Sequence, residues 1–112
     1  MIVFMPHVFG ESIDDALDQI KEFETVEEMK EYLSKYWNIN KRITKDNIVI
    51  DDRFSYEDKR LGWQDTRYVC LKQDDEERVI GYCATKYKNV EETINKLKQE
   101  NKIIKRIKIK KK

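Results

Sequence analysis

The sequence predicts an α+β fold: a small antiparallel or mixed sheet centred on a hairpin at 67–86, with two or three helices packed on one face. Three observations predict it. "RYVCLKQ" and "RVIGYCATKY" flank the acidic turn "DDEE", so two β-rich runs fold back on each other. "TVEEMKEYLSKYWN" and "NVEETINKLKQEN" each open with a capping box and continue with apolar residues at helical spacing. "MIVFM" and "NIVID" add short apolar runs of strand length.

Taken in order, "MIVFM" reads as a strand that Pro6 ends, because proline cannot continue a hydrogen-bonded ladder. His7 then falls at a solvent-facing strand end. "ESIDDALDQIKEF" puts Ile13, Leu17 and Ile20 on one helical face, with Ser12 as N-cap. In the next helix Thr25 caps and Glu28 answers, and Val26, Met29, Leu33, Tyr36 and Trp37 form the apolar stripe. Residues 47–51 follow as a strand rich in β-branched side chains. The stretch 52–66, "DRFSYEDKRLGWQDT", shows neither helical nor strand period and reads as a long loop.

The hairpin carries a definite expectation. With Asp75 and Glu76 centring the turn, Val69 pairs with Tyr82 and Leu71 with Ile80, giving one coherent apolar face. Cys70 and Cys83 then sit diagonally on the other face, roughly 7 Å apart and poorly placed for a disulfide. In the last helix Asn89 caps, Glu92 answers, and Val90, Ile94 and Leu97 face inward. "KIIKRIKIKKK" closes with the alternation of a strand, through Ile103, Ile107 and Ile109.

Segments 25–43 and 89–107 share eight identities in nineteen positions at a constant offset of 64 residues. Duplication of a helix–strand unit explains this, and so does convergence of two capped, Lys/Ile-rich segments.

The length of 112 residues suits a single domain spanning 1–112. A net charge of +1 hides an asymmetry: residues 1–40 hold nine acids against three bases, while 102–112 hold seven bases and no acid. The pI of 7.7 is below the ~9 usual for a dedicated nucleic-acid binder. No run approaches the ~18 apolar residues of a membrane span, and nothing resembles a secretory leader. Two cysteines without such a leader read as free thiols of a cytoplasmic protein. The seventeen lysines and thirteen isoleucines against two alanines suggest an AT-rich genome.

No constellation points firmly to chemistry. One histidine and two cysteines spaced C-x12-C match no structural zinc pattern, so no metal site is expected. Three isolated glycines form no phosphate-cradling loop, and no cofactor is expected. Nothing brings a cysteine and His7 together as a nucleophile pair, so no catalytic residue is assigned. The one enzymatic alternative is a metal-dependent nuclease, from Asp51 and Asp52 at a strand end followed by Glu57-x-Lys59. Against it, the interval from Asp51 to Glu57 is only six residues and the Glu-x-Lys pair lies in polar text. The reading leans away from an enzyme.

The segment "RLGWQDTRYV", followed after the turn by "VIGY", resembles small uncharacterised proteins encoded by phages and prophages of low-GC Gram-positive bacteria. The matching residues are Arg60, Gly62, Trp63, Thr66, Tyr68, Val69, Val79, Gly81 and Tyr82, about a quarter of the chain. The resemblance implies such a source and lends no activity. Physically, Gly62 allows a sharp left-handed turn that folds Trp63 over the sheet end. The indole then serves either as a core plug or as a binding anchor.

The function expected is a non-enzymatic protein-binding module, phage or mobile-element encoded, modulating a host enzyme or a defence system. Its partner-binding residues are Arg53, Arg60, Trp63, Asp65, Arg67 and Tyr68, on a rigid sheet edge. A nucleic-acid binder is the alternative, contacting phosphate through Lys105, Arg106, Lys108 and Lys110. No membrane partner is expected, and a free edge strand leaves homo-oligomerisation open.

Overall fold

The computed structural model describes residues 1–7, 13–36, 43–53 and 55–110, with 13, 14, 36 and 103–110 as backbone alone. Among these residues seven strands and three α-helices follow the order β1 (Ile2–Pro6), α1 (Ile13–Asp18), β2 (Lys21–Phe23), α2 (Val26–Tyr36), a 3-10 turn (Lys45–Asn47), β3 (Ile48–Ile50), β4 (Tyr56–Asp58), β5 (Trp63–Gln73), β6 (Glu76–Ala84), β7 (Lys86–Tyr87) and α3 (Val90–Lys110). The sheet is antiparallel throughout, in the order β2-β1-β6-β5-β3, with β4 and β7 also paired to β5. Strand β5 is the spine. It carries β6 and then β7 along one side, and β3 and then β4 along the other. The α+β class and the central hairpin are as the sequence predicts.

The helices, however, divide between both faces of the sheet. Along β1, Ile2 and Phe4 pack with Met29 and Leu33 of α2, while Val3 joins Leu17 of α1 and Val90 and Leu97 of α3. Alternate strand residues point to opposite faces, so the two clusters are two cores on either side of one sheet. A sheet covered this way needs apolar residues on both faces. The unbroken run Ile2-Val3-Phe4 and the consecutive buried trio Val69-Cys70-Leu71 meet that need.

Helix α2 begins as its capping residues dictate. Thr25 Oγ1 accepts the Glu28 N–H at 3.2 Å, and the Glu28 carboxylate reaches back to the Glu24 N–H at 3.2 Å. In α3, Asn89 Oδ1 accepts the Glu92 N–H at 3.2 Å. The Ser12 cap and Trp37 lie outside the described residues.

Four further expectations change. The helix read over 11–23 stops at Asp18, and Lys21–Phe23 becomes β2, pairing with β1. The hairpin turns at Asp74-Asp75, not Asp75-Glu76, so Leu71 faces Arg78 and Tyr68 faces Tyr82. Both turn residues take positive φ, 46° and 65°, as a two-residue hairpin turn requires. Aspartate's short side chain tolerates that region, whereas a longer glutamate does not favour it. A bulge opposite Val69 and Cys70 absorbs Ile80 and restores the burial pattern. Residues 103–109 continue α3 as helix, not strand. The second copy of the proposed repeat therefore lacks its strand half. Finally, 52–66 is not a plain loop: it holds β4 and the start of β5, paired through Tyr56–Thr66 and Asp58–Trp63.

Gly81 fixes how β1 and β6 meet. A Cβ there would fall 2.4 Å from the Phe4 ring and 2.6 Å from the Met5 carbonyl oxygen, so the Phe4 ring occupies the space a side chain would need.

Candidate functional site

The sequence-predicted partner residues end in different places. Trp63 is 1% exposed, packed in the α1/α3 core with Leu61, Ala84, Val90 and Leu97. That is the plug role, and it removes the indole from the surface. The turn ahead of it is built for the purpose. Gly62 takes φ 67°, Asp58 Oδ1 accepts the Leu61 N–H at 3.2 Å, and the Lys88 N–H donates to the Gly62 carbonyl at 3.1 Å. Arg60 stays exposed on that turn.

The rest of the set forms a rim where β3 and β4 flank β5. Asp51 follows β3, and its N–H donates to the Tyr68 carbonyl at 2.9 Å, fixing the strand end. Its buried carboxylate receives Arg53 three times: from the backbone N–H at 3.0 Å and from Nε at 2.9 Å on Oδ1, and from Nη2 at 2.8 Å on Oδ2. The side-chain bonds and then the backbone bond hold the Asp51 carboxyl down at about 2. Arg53 also reaches Glu77 on β6 at 3.5 Å. Alongside, Arg67 donates to Asp52. The rim thus carries two locked acid–base pairs, one bidentate.

Beneath the rim, on the α2 face, lies a groove of about 600 Å³ lined by β3, the 3-10 turn, the first turns of α2, and Asp52, Asp65, Arg67 and Thr85. On the opposite face a smaller hollow of about 280 Å³ runs beside Val49, Arg53, Lys72 and Glu77. Strand β3 is the outermost strand of the described sheet on this side, so it stands between the two concavities.

Tyr68 does not belong to the rim surface. It stands half-buried in a row of rings that crosses the sheet, from Tyr56 (centroids 6.0 Å apart) to Tyr82 (5.5 Å) and on to His7 (5.6 Å). His7 is therefore not simply solvent-facing: its Nδ1 shares a hydrogen bond with the Tyr82 hydroxyl at 2.9 Å. Burial pushes the Tyr56 phenol up to about 12. The Thr66 hydroxyl is buried and has no hydrogen-bond partner among the described residues.

The carboxylates of the nuclease alternative do not converge. Both oxygens of Asp51 are engaged by Arg53, and among the described residues no three metal-ligating side chains gather. Cys70 and Cys83 are free and buried, and burial pushes both thiols up to about 11. Lys105, Arg106, Lys108 and Lys110 lie on the C-terminal half of α3 by backbone, with side chains outside the description. No helix among the described residues is long and apolar enough to cross a membrane.

Reading the sequence alone missed Glu27 and Lys30. They are the polar neighbours of the α2 stripe and line the groove. Their spacing of three residues, flanking Val26 and Met29, is the signal that could have found them. Compared with family models, curated proteins and solved structures, the chain has no match, so its chemistry is read from this geometry.

Proposed function

We propose that the chain is a non-enzymatic protein-binding module that presents the β3–β4 rim to a partner protein. It would be encoded by a phage or mobile element, acting on a host enzyme or defence system. The observation that carries the reading is the rim's construction. Arg53 and Arg67 keep 75% and 41% of their side chains in solvent, yet each is held by a carboxylate of the same rim. Side chains already fixed before binding lose little entropy on contact, which favours a specific interface. Alternating acids and bases suit a protein surface of complementary pattern better than a uniform polyanion. Support for the source comes from the "RLGWQDTRYV…VIGY" resemblance.

A photo-crosslinking residue placed at Asp65 in the expressing cells tests this. A discrete adduct is expected, digested by protease and resistant to nuclease, and lost in a D52R variant, which breaks the Arg67 pair and adds positive charge to the rim. The same probe at Glu92 on α3 should give none. A nuclease-sensitive adduct would transfer the reading to nucleic acid, and no adduct at all would end it.

A further inference from the structure

We propose that β3 accepts a strand from the partner: an extended basic segment adds antiparallel to Ile48–Ile50 and lays alternate Lys or Arg side chains into the α2-face groove. The inference deepens the reading above and rests on it.

Backbone geometry gives the first part. Asp51 donates its N–H inward to Tyr68. Inward and outward groups alternate along an antiparallel strand, so Ile50 turns its N–H and carbonyl away from β5, and Ile48 turns its carbonyl the same way. The Ile48 N–H is already spent on the Lys45 carbonyl. Three backbone groups therefore face outward along the outermost strand of the described sheet. Strand addition uses such groups for affinity and the flanking pockets for side-chain choice.

Charge gives the second part. The groove is lined by Glu27, Asp46, Asp52 and Asp65 against Lys30, Lys45 and Arg67. Arg67 answers Asp52, and Lys45 reaches Glu31 at 3.9 Å. Glu27, Asp46 and Asp65 remain against Lys30, with no ion pair to them among the described residues. The unanswered charge is negative. An incoming residue opposite Ile50 shares its face, which is the groove face, since Ile50 packs toward the α2 core. Long cationic side chains at alternate positions fit that requirement. The intervening positions fall over Val49, the exposed apolar residue of this edge at 36%, and favour β-branched side chains.

A second copy of β3 fits poorly. It would bring the same acidic excess to the same rim, and like charges set opposite each other destabilise a pairing.

The test uses the full chain and a blocked peptide, Lys-Val-Lys-Val-Lys-Val-Lys, with Glu-Val-Glu-Val-Glu-Val-Glu as control. The lysine peptide should bind at least ~10-fold tighter, and the preference should reverse in a D46K/D65K double variant. N-methylation supplies a check that leaves the protein untouched. Methylating the lysine amides, which face Ile50 in an antiparallel pair, should abolish binding, while methylating the valine amides should change it less than about twofold. Any other pattern, or equal binding of the two peptides, overturns strand addition. If the Asp65 adduct forms in cells while the peptides fail, the protein-binding reading survives without the strand. If the peptides bind and no adduct forms, the reverse holds.

Discussion

Leu61 and Trp63 are 5% and 1% exposed, whereas Arg53 and Arg67, a few residues to either side, keep most or much of their side chains in water. All four come from one charged stretch, and its composition does not separate them. The backbone does. Positive φ at Gly62 turns the chain so that Leu61 and Trp63 face the α1/α3 core. A second positive φ, at Asp65, lies within the irregular β4–β5 pairing and re-aims the chain before Arg67. Charged residues in and just ahead of this stretch are partly consumed in holding this path: Asp58 accepts a turn N–H, and Asp51 is saturated by Arg53. One stretch thus builds a core plug and a charged rim, and two backbone conformations decide which residue serves which.

The comparison breaks most visibly at Trp63. W63A removes a fully buried indole and should cost about 3–5 kcal/mol, read as a lower denaturant midpoint with an unchanged slope. A near-neutral result would put the ring outside the core. The G81A change comes next. Its added methyl meets the Phe4 ring and the Met5 carbonyl, so a loss of about 1–3 kcal/mol is expected. Pairing it with Phe4→Leu should recover part of the loss, because the ring yields and the carbonyl does not. G62A is smaller. A left-handed φ costs an alanine about 1 kcal/mol, and the Lys88 side chain lies 3.1 Å from the new Cβ. By contrast, D52A on the rim, which leaves Arg67 unanswered, should move stability by no more than about 0.5 kcal/mol while weakening partner capture. A large stability loss from D52A would erase the distinction between plug and rim.

The sequence made some of this legible, for definite reasons. Helix starts were readable because Thr25, Glu28, Asn89 and Glu92 act within one turn of each other. The central hairpin was readable because two β-rich runs flank acidic turn residues. Its register was not, since "DDEE" offers several turn centres and only a bulge at Ile80 reconciles the chosen one with burial. Lys21–Phe23 looked helical because its strand character comes from pairing with β1, a contact remote in sequence. The Ile/Lys alternation of 103–109 misled in the other direction: a pattern of period two was taken up by a helix already running from Val90. At the rim, Arg53, Asp65 and Arg67 could be picked from their charges. The groove could not, because Glu27 and Lys30 reach it from a helix twenty or more residues earlier in the chain.

The subtlest difference between plug and rim is one of pH. Trp63 does not titrate, so the plug contributes alike in acid and at neutrality. Asp51 does titrate. Its carboxyl is held at about 2 against an ordinary value of 3.8, so the ionised form is favoured in the folded chain. A depressed acid adds stability that is fully present above its unfolded value and fades as pH falls toward the folded one. The window therefore runs from about pH 4 down to about pH 2. Urea midpoints measured across it should converge for the wild-type chain and D51N as the medium becomes more acid. R53Q should flatten the wild-type slope in the same window, because the Arg53 bonds are what lower the carboxyl. Curves that stay parallel from pH 5 to pH 2 would mean that the Asp51–Arg53 lock does not form in solution, leaving the rim without its fixed geometry.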